Sequence, residues 1–584
     1  MVMRTRLLLS LTMLFAALAS HAATLPKPER PVTDKAGILS GNELALLEEK
    51  AAALEKAKLA QLVIYLVPEL PEGAVLETLT LDSVNEWGVG RKDVNDGLAI
   101  FAFLKDRRLR IEVGLGLEQV ITDEIAARVI QEQLAPAFRA EKYGEGLSAA
   151  VDELTRVLET HGDPRVAWLR QNATRLQPVD ASGDDLSDLE PLRRTLSGVR
   201  VVMLGEQSHG DGTTFLAKTR LIRFLHERMG FNILAFESGL YDCPKAWEFL
   251  VNGEEPRAAL SRGIFAIWSK SREVQPLLDY IGDEAKSAHP LEVAGIDSQT
   301  TGSAAEQFLA ADLAAYLSRI DPKLAEGAEW DRVARVIGLL NQSAWELREA
   351  PVPSAEEQAA FARTIERWQS LIAARDRSPA TQPWSGSFWR QLLASLRAFA
   401  EQDWRTDYTT NATRVDGTPV SVFTMRDVQM GKNLIWLANE RYPREKIIVW
   451  AATGHIARAL PSVRTSDPKY ARLYTGWTPM GEIARKTLGE QLYALGFLSY
   501  EGEAARFAAK TATIVQSSRD SLEDLFARAS FESALLDFRH LPAGHWLRSP
   551  LTAKLLGHTE MQADWTGVVD GVVFLRKMDR SHKN

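Results

Sequence analysis

The stretch Val199–Arg220 reads VRVVMLGEQSHGDGTTFLAKTR: an apolar, β-branched run stops at Gly205, Glu206, His209 and two more glycines follow, and a segment of helical period takes over. An ordinary turn has no need of a glutamate and a histidine at the end of a buried strand. Three further runs end in the same way: FNILAFE closes on Glu237, LEVAGID on Asp297, and KIIVWAATG leads to His455. Strand-like runs alternating with amphipathic helical segments predict a mostly parallel sheet with crossover helices. Ligands bind beyond the carboxyl ends of such strands, so Glu206, His209, Glu237 and His455 are expected around one crevice. Asp297 is expected at its rim or behind it, although an aspartate there also serves as a helix cap. His226, in HERMG, is expected outside the crevice on a solvated helix face.

The chain has 584 residues, 45% hydrophobic and 25% charged, which is enough for more than one core. A net charge of -8 and the lack of a Lys/Arg-rich run with interleaved aromatics argue against a nucleic-acid partner. MVMRTRLLLSLTMLFAALASHAATL has a charged start, a short apolar run and a small-residue cleavage site, so residues 1–22 are read as a signal peptide. The expected location is periplasmic or secreted, with no stable membrane insertion after cleavage. Cys243 is the only cysteine, so the chain folds without an intramolecular disulfide, and Cys243 is read as structural.

Residues 27–160 read as a compact α+β unit. A helix leads to a strand at Gln61–Val67, two strands follow around a charged turn at Lys105–Arg108, and helices close the unit. Residues 161–187 read as a linker and 188–580 as the sheet-bearing domain. Between Thr300 and Glu440 the period is nearly all helical, which predicts a helical insertion over one end of the sheet. Its tryptophans, among them Trp330, Trp345, Trp368, Trp389 and Trp404, are read mainly as helix-packing residues.

Several chemistries drop out. There is no Gly-x-Ser-x-Gly elbow, no His-Glu-x-x-His and no P-loop. What remains is an imidazole and carboxylate site without an obvious protein nucleophile, which suits a histidine base acting on water. The same Glu206, His209, Glu237 and His455 have ligand chemistry for a divalent metal, and a metal-dependent hydrolase is the competing reading. A third reading makes the protein a non-catalytic envelope binding or assembly factor.

The pieces LGEQSHGDGTTFLAKTRLIRFLHERMGFNILAFES, VAGIDSQ, RDVQMGKNLIWL, IIVWAATGHIAR and VDGVVFLRK resemble the erythromycin esterase family, in one order from about Asp188 to Lys577. The resemblance implies a hydrolase that cleaves a small-molecule ester or lactone and requires no metal cofactor. It places the water-activating histidine at His209, its partner carboxylates at Glu206 and Glu237, and the second histidine at His455. Lys218 stands where the family has an arginine, and with His455 it is expected to stabilise the oxyanion. Arg220 and Asp297 are candidate substrate-binding residues. Ala452 and Thr453 replace a His-Asn pair usual in the family.

The first region, with VTDKAGILS, WGVGRKDVNDGLAIFAFLKDRRLRIEVGLGLEQVITDEIAARVI and YGEGLSAAVDEL, resembles the TPM domain, for which phosphatase activity and calcium binding have both been proposed. The resemblance makes Asp34, Asp96 and Asp123 candidate cation ligands, since oxygen donors suit calcium. The residues also allow a simpler account, in which Asp96 makes a turn and Asp123 caps a helix. An accessory role through an envelope protein partner is the remaining expectation.

Overall fold

The computed structural model describes residues 24–583 except 58, 93, 119, 162, 180–184, 343–350, 408–409, 411, 416 and 506–511. The leader and Trp345 therefore lie outside the described residues. The chain forms two compact units that divide between Trp168 and Leu169.

In the first unit, β1 (Val32–Asp34), β2 (Gln61–Val67), β3 (Gly97–Phe103) and β4 (Arg108–Val113) make a sheet in that order. The first three strands are parallel, and β4 returns antiparallel to β3. The β2 sequence QLVIYLV is apolar at nearly every position because both faces are covered. Helices α1 (Gly41–Lys56), α3 (Asp123–Val129) and α4 (Tyr143–His161) supply residues to one core, and α2 (Leu76–Trp87) supplies the other. A capping box starts α1: Ser40 Oγ accepts the Glu43 N–H, and the Glu43 carboxylate accepts the Ser40 N–H. The short strand β1 was not legible in the sequence.

In the second unit, β5 (Val201–Leu204) is followed by α5 (Gly212–Met229), β6 (Phe231–Gly239), α6 (Asp242–Val251), β7 (Glu292–Asp297), α7 (Thr424–Trp436), β8 (Lys446–Trp450), β9 (Leu492–Ala505), β10 (Ser533–Asp537) and β11 (Gly571–Met578). The order across the sheet is β10-β11-β9-β5-β8-β6-β7. Six neighbours, β11 to β7, run parallel, and β10 is antiparallel. The fold is thus the α/β architecture expected, with a parallel-rich sheet wider than its first four strands. The two-residue strand Thr174–Arg175 extends the β10 edge, so residues 161–187 are not a bare linker.

Among its described residues, the insertion between β7 and α7 holds four long helices, Ala310–Ile320, Gly327–Leu340, Ala355–Arg375 and Gly386–Arg405, as its period predicts. It also contains a small antiparallel ribbon of Thr406–Asp407, Ala412–Val415 and Thr418–Ser421 that the helical reading missed. Trp368 and Trp389 are buried between these helices.

Two glycines let the site close up. A Cβ on Gly205 would lie 2.5 Å from Thr453 Oγ1, so only glycine lets the segment after β8 approach the end of β5. A Cβ on Gly210 would meet the Ala505 carbonyl oxygen at 2.0 Å.

Candidate active site

Strand β5 delivers Glu206 to the carboxyl edge of the sheet, where it is 1% exposed. Its Oε1 meets His209 Nδ1 at 2.9 Å and accepts the Trp268 indole N–H at 2.9 Å. Its Oε2 accepts from Lys218 Nζ at 2.5 Å. Lys218, on α5, also donates to the Ala451 carbonyl at 3.2 Å and lies 4.3 Å over the Trp450 ring. Burial lowers the pKa of this ammonium, and the Glu206 carboxylate opposes the shift. The His209 side chain keeps 28% of its surface, and its Nε2 has no partner among the described residues. Trp268 stands edge-on to the ring at 5.4 Å.

The second shoulder of the crevice is built on Arg426, from the first turn of α7. Its guanidinium donates through Nε to Asp297 Oδ1 at 3.0 Å, through Nη2 to Asp297 Oδ2 at 2.5 Å, and through Nη2 to Glu237 Oε1 at 2.8 Å. Glu237 Oε2 accepts the Ala452 N–H at 2.9 Å. His455 sits between two carboxylates, with Nε2 3.1 Å from Glu237 and Nδ1 2.7 Å from Asp427. Asp427 also accepts the Trp477 indole N–H at 2.7 Å.

Burial alone would depress the His455 pKa, but Asp427 and Glu237 overcome it and carry it up to about 10. The ring therefore holds its second proton at neutral pH, with Nδ1 on Asp427 and Nε2 facing Glu237, while Arg426 Nη1 also lies 3.3 Å from Nε2. Burial would raise the Glu237 carboxyl, yet His455 and Arg426 hold it well below the ordinary range, with a smaller contribution from His209. The two shoulders meet at the segment after β8: the Ala451 carbonyl accepts from Lys218, the Ala452 N–H donates to Glu237, and the Thr453 N–H donates to the Glu206 carbonyl at 2.9 Å.

Glu206, His209, Glu237, His455, Lys218 and Asp297 thus gather at one sheet edge, but several expected roles change. Lys218 is fully buried behind Glu206, so it holds that carboxylate rather than facing an oxyanion. His455 has both ring nitrogens committed to carboxylates and is equally unsuited to that task. Asp297 is completely buried against Arg426 instead of lining a substrate surface. Arg220 points elsewhere: it pairs with Asp188 and donates to the Asp185 carbonyl, because its place on α5 faces the segment that leads into β5. His226 lies outside the crevice as expected, but it is buried, bonded to the Tyr280 hydroxyl at 2.6 Å and the His289 carbonyl at 2.8 Å. Arg426, Asp427, Trp268 and Trp477 were missed. The Arg-Asp pair opening RDVQM was the available signal, but nothing local says that a helix would bury both charges.

The donors do not suit a divalent metal. Glu206 is committed to Lys218, Trp268 and His209, and the guanidinium of Arg426 fills the position where Glu237 and Asp297 converge. Among the described residues no group of three or more His, Cys, Asp or Glu side chains is arranged to hold an ion. In the first unit the sheet register separates Asp34 from Asp96. Asp34 pairs with Leu66 near one end of β2, whereas Asp96 precedes Gly97, which pairs with Gln61 at the other end. Asp34 accepts the N–H groups of Ala36, Gly37, Ile38 and Leu39, and Asp96 is bound to Arg91. Thr122, not Asp123, caps α3.

The chain belongs to the erythromycin esterase family, whose model matches residues 226–578, and a TPM domain matches residues 32–157. The family match begins after Glu206, His209 and Lys218, so their place in the site rests on the geometry. The chain is 27% identical over 443 residues to a putative hydrolase, YbfO, of Bacillus subtilis, covering 71% of this chain and 91% of that protein. It is 45% identical to the erythromycin esterase type II of Escherichia coli over only 56 residues, 10% of this chain and 13% of that one. Among solved structures, a Bacillus cereus protein superposes with a TM-score of 0.58 at 18% identity, covering 72% of this chain and 98% of that one. An erythromycin esterase variant in an open conformation superposes with a TM-score of 0.54 at 19% identity, covering 70% and 98%. These two likenesses concern the fold alone.

Proposed function

We propose that the second unit hydrolyses a small-molecule ester or lactone by direct attack of water, with His209 as the base. The observation that carries this reading is the His209 ring itself. Its Nδ1 is fixed on a buried, ion-paired carboxylate, while its Nε2 has no partner among the described residues and the side chain is part-exposed. In the proposed reaction Nε2 takes a proton from water as its oxygen bonds to the carbonyl carbon. Glu206 steadies the imidazolium that forms, the tetrahedral intermediate collapses, and His209 returns the proton to the departing alkoxide. Neither Ser208 nor Cys243 is placed to act as a nucleophile: the Ser208 hydroxyl donates to the Ala505 carbonyl at 3.1 Å, and Cys243 is buried. Arg426 and the charged His455 place cationic groups beside Glu237, each balanced by carboxylates.

The leader supports export to the periplasm or beyond. The described residues contain no helix long and apolar enough to cross a membrane. The first unit is assigned an accessory, partner-binding role.

The test is hydrolysis of a panel of esters and lactones by the full chain, before and after chelator treatment, with the product acid analysed after reaction in ¹⁸O-labelled water. One labelled oxygen per product acid, with undiminished activity after chelation, is expected. Activity that vanishes with the metal and returns on its addition would establish the metal-dependent reading. A chain that hydrolyses no member of the panel favours the binding-factor reading.

A further inference from the structure

The loop that carries His209 is gripped on both sides by one distant segment, Lys554–His558. On one side, Gln207 Nε2 donates to the Lys554 carbonyl at 2.7 Å, and Gln207 Oε1 accepts from Ser499 Oγ at 3.1 Å. On the other side, His558 Nε2 lies 2.8 Å from Asp211 Oδ1, and Asp211 Oδ2 accepts the Ser208 N–H at 2.8 Å. His209 stands between these two attachments.

Asp211 occupies the position of a helix cap before α5, yet its carboxylate makes no capping bond to that helix. It turns back to the loop instead and is completely buried. The His558 side chain is 9% exposed, and its Nδ1 is buried with no partner among the described residues. The only hydrogen bond of the ring is therefore the one to Asp211, and a carboxylate acceptor requires Nε2 to carry the proton.

We propose that His558 is a positioning residue: acting through Asp211, it fixes the Ser208–Asp211 turn and so holds the His209 ring on Glu206 with Nε2 free. The inference rests on the hydrolytic reading for its kinetic consequence, but not for its structural one. The backbone of the turn is also tied through Ser208 Oγ to the Ala505 carbonyl and through the Gly210 carbonyl to the Ala505 and Ser581 N–H groups. What His558 adds is the anchor of the Asp211 carboxylate that closes the turn onto the Ser208 N–H, and misplacement of a base by about 1 Å is costly.

The test compares His558→Gln with His558→Asn. The glutamine amide reaches the place of Nε2, whereas the asparagine amide falls one methylene short of Asp211. Two readouts are followed: kcat and KM on an ester that the wild type cleaves, and the ring ¹⁵N signals of His209 in the free protein. H558N is expected to lower kcat on the order of tenfold or more with KM little changed, and to mix the two His209 tautomers. H558Q is expected to keep both readouts near wild type. Equal behaviour of the two variants in the His209 ring signals overturns the proposal. If the wild type cleaves no ester, the hydrolytic reading fails alone, and the ring signals still decide the role of His558.

Discussion

His209 and His455 stand beyond the carboxyl ends of adjacent strands, β5 and β8, and the fold treats them in opposite ways. His209 is held at one nitrogen and keeps 28% of its side-chain surface, whereas His455 is held at both and keeps 6%. A base must accept a proton during the reaction and give it up afterwards. An imidazolium locked between Asp427 and Glu237 can do neither without losing an ion pair. Two histidines that look equivalent along the chain are thus a proton carrier and a fixed charge, and the number of free ring nitrogens separates them.

The sharpest way to break this contrast is His209→Ala. It removes the carrier from a part-exposed position, so kcat should fall by about 10²–10⁴-fold while the melting temperature stays near that of the wild type. A variant that keeps its turnover would remove His209 from the mechanism and leave the contrast without functional meaning.

Replacing the central cation of the fixed shoulder should act on stability instead. Arg426→Met leaves Glu237 and Asp297 buried without their guanidinium, and removing one partner of a buried ion pair costs about 3–5 kcal/mol. Urea denaturation measures this directly. A loss below about 1 kcal/mol would show that these carboxylates take up protons or water without penalty, and that the shoulder is not rigid.

His455 gives a pH signature with a definite sign. Its ordinary pKa is near 6.5 and its folded pKa about 10, so the folded chain holds a proton that the unfolded chain has released between those values. The stabilisation is complete below about 6.5 and is lost as pH rises through about 10. His455→Gln should narrow the stability gap to wild type steadily across that window. A gap that is constant from pH 6 to 10 would mean that His455 is neutral in the fold, and the contrast with His209 would then lie in exposure alone.

The sequence carried the elements whose signals are local. The bounds of β2, the hairpin turn before β4 and the four polar-ended strands were legible because apolar runs and turn residues mark them. The convergence of Glu206, His209, Glu237 and His455 followed from strand direction. What was not legible is how the charges are balanced. Arg426 reaches Glu237 across 189 positions and Asp297 across 129, and Glu237 reaches the Ala452 N–H across 215. No short pattern records pairings at such distances. The oxyanion role expected of Lys218 failed for the same reason: a lysine seven residues into α5 reads as reachable until Trp450 and Ala451 are seen to cover it.

The aspartates of the first unit give the smallest expected effect. The Asp34 and Asp96 carboxylates are satisfied within their own loops, unlike those of the crevice, which depend on distant cations. Asp34 and Asp96 stand at opposite ends of β2, separated by five residue steps between Leu66 and Gln61, or roughly 16 Å at about 3.3 Å per residue. Asp123 follows β4, which runs back to the Asp96 end, so no pair that includes Asp34 can share an ion. Asp96 is moreover neutralised by Arg91. Calcium at about a hundred times the dissociation constant of a real site would stabilise the unit by about 2.7 kcal/mol, a shift of several degrees. Calorimetry of the full chain in a few millimolar calcium and in chelator should instead give the same transitions to within about one degree. A calcium-dependent shift of several degrees, abolished by Asp96→Asn, would show that Arg91 yields to the ion and that these loops rearrange into a site.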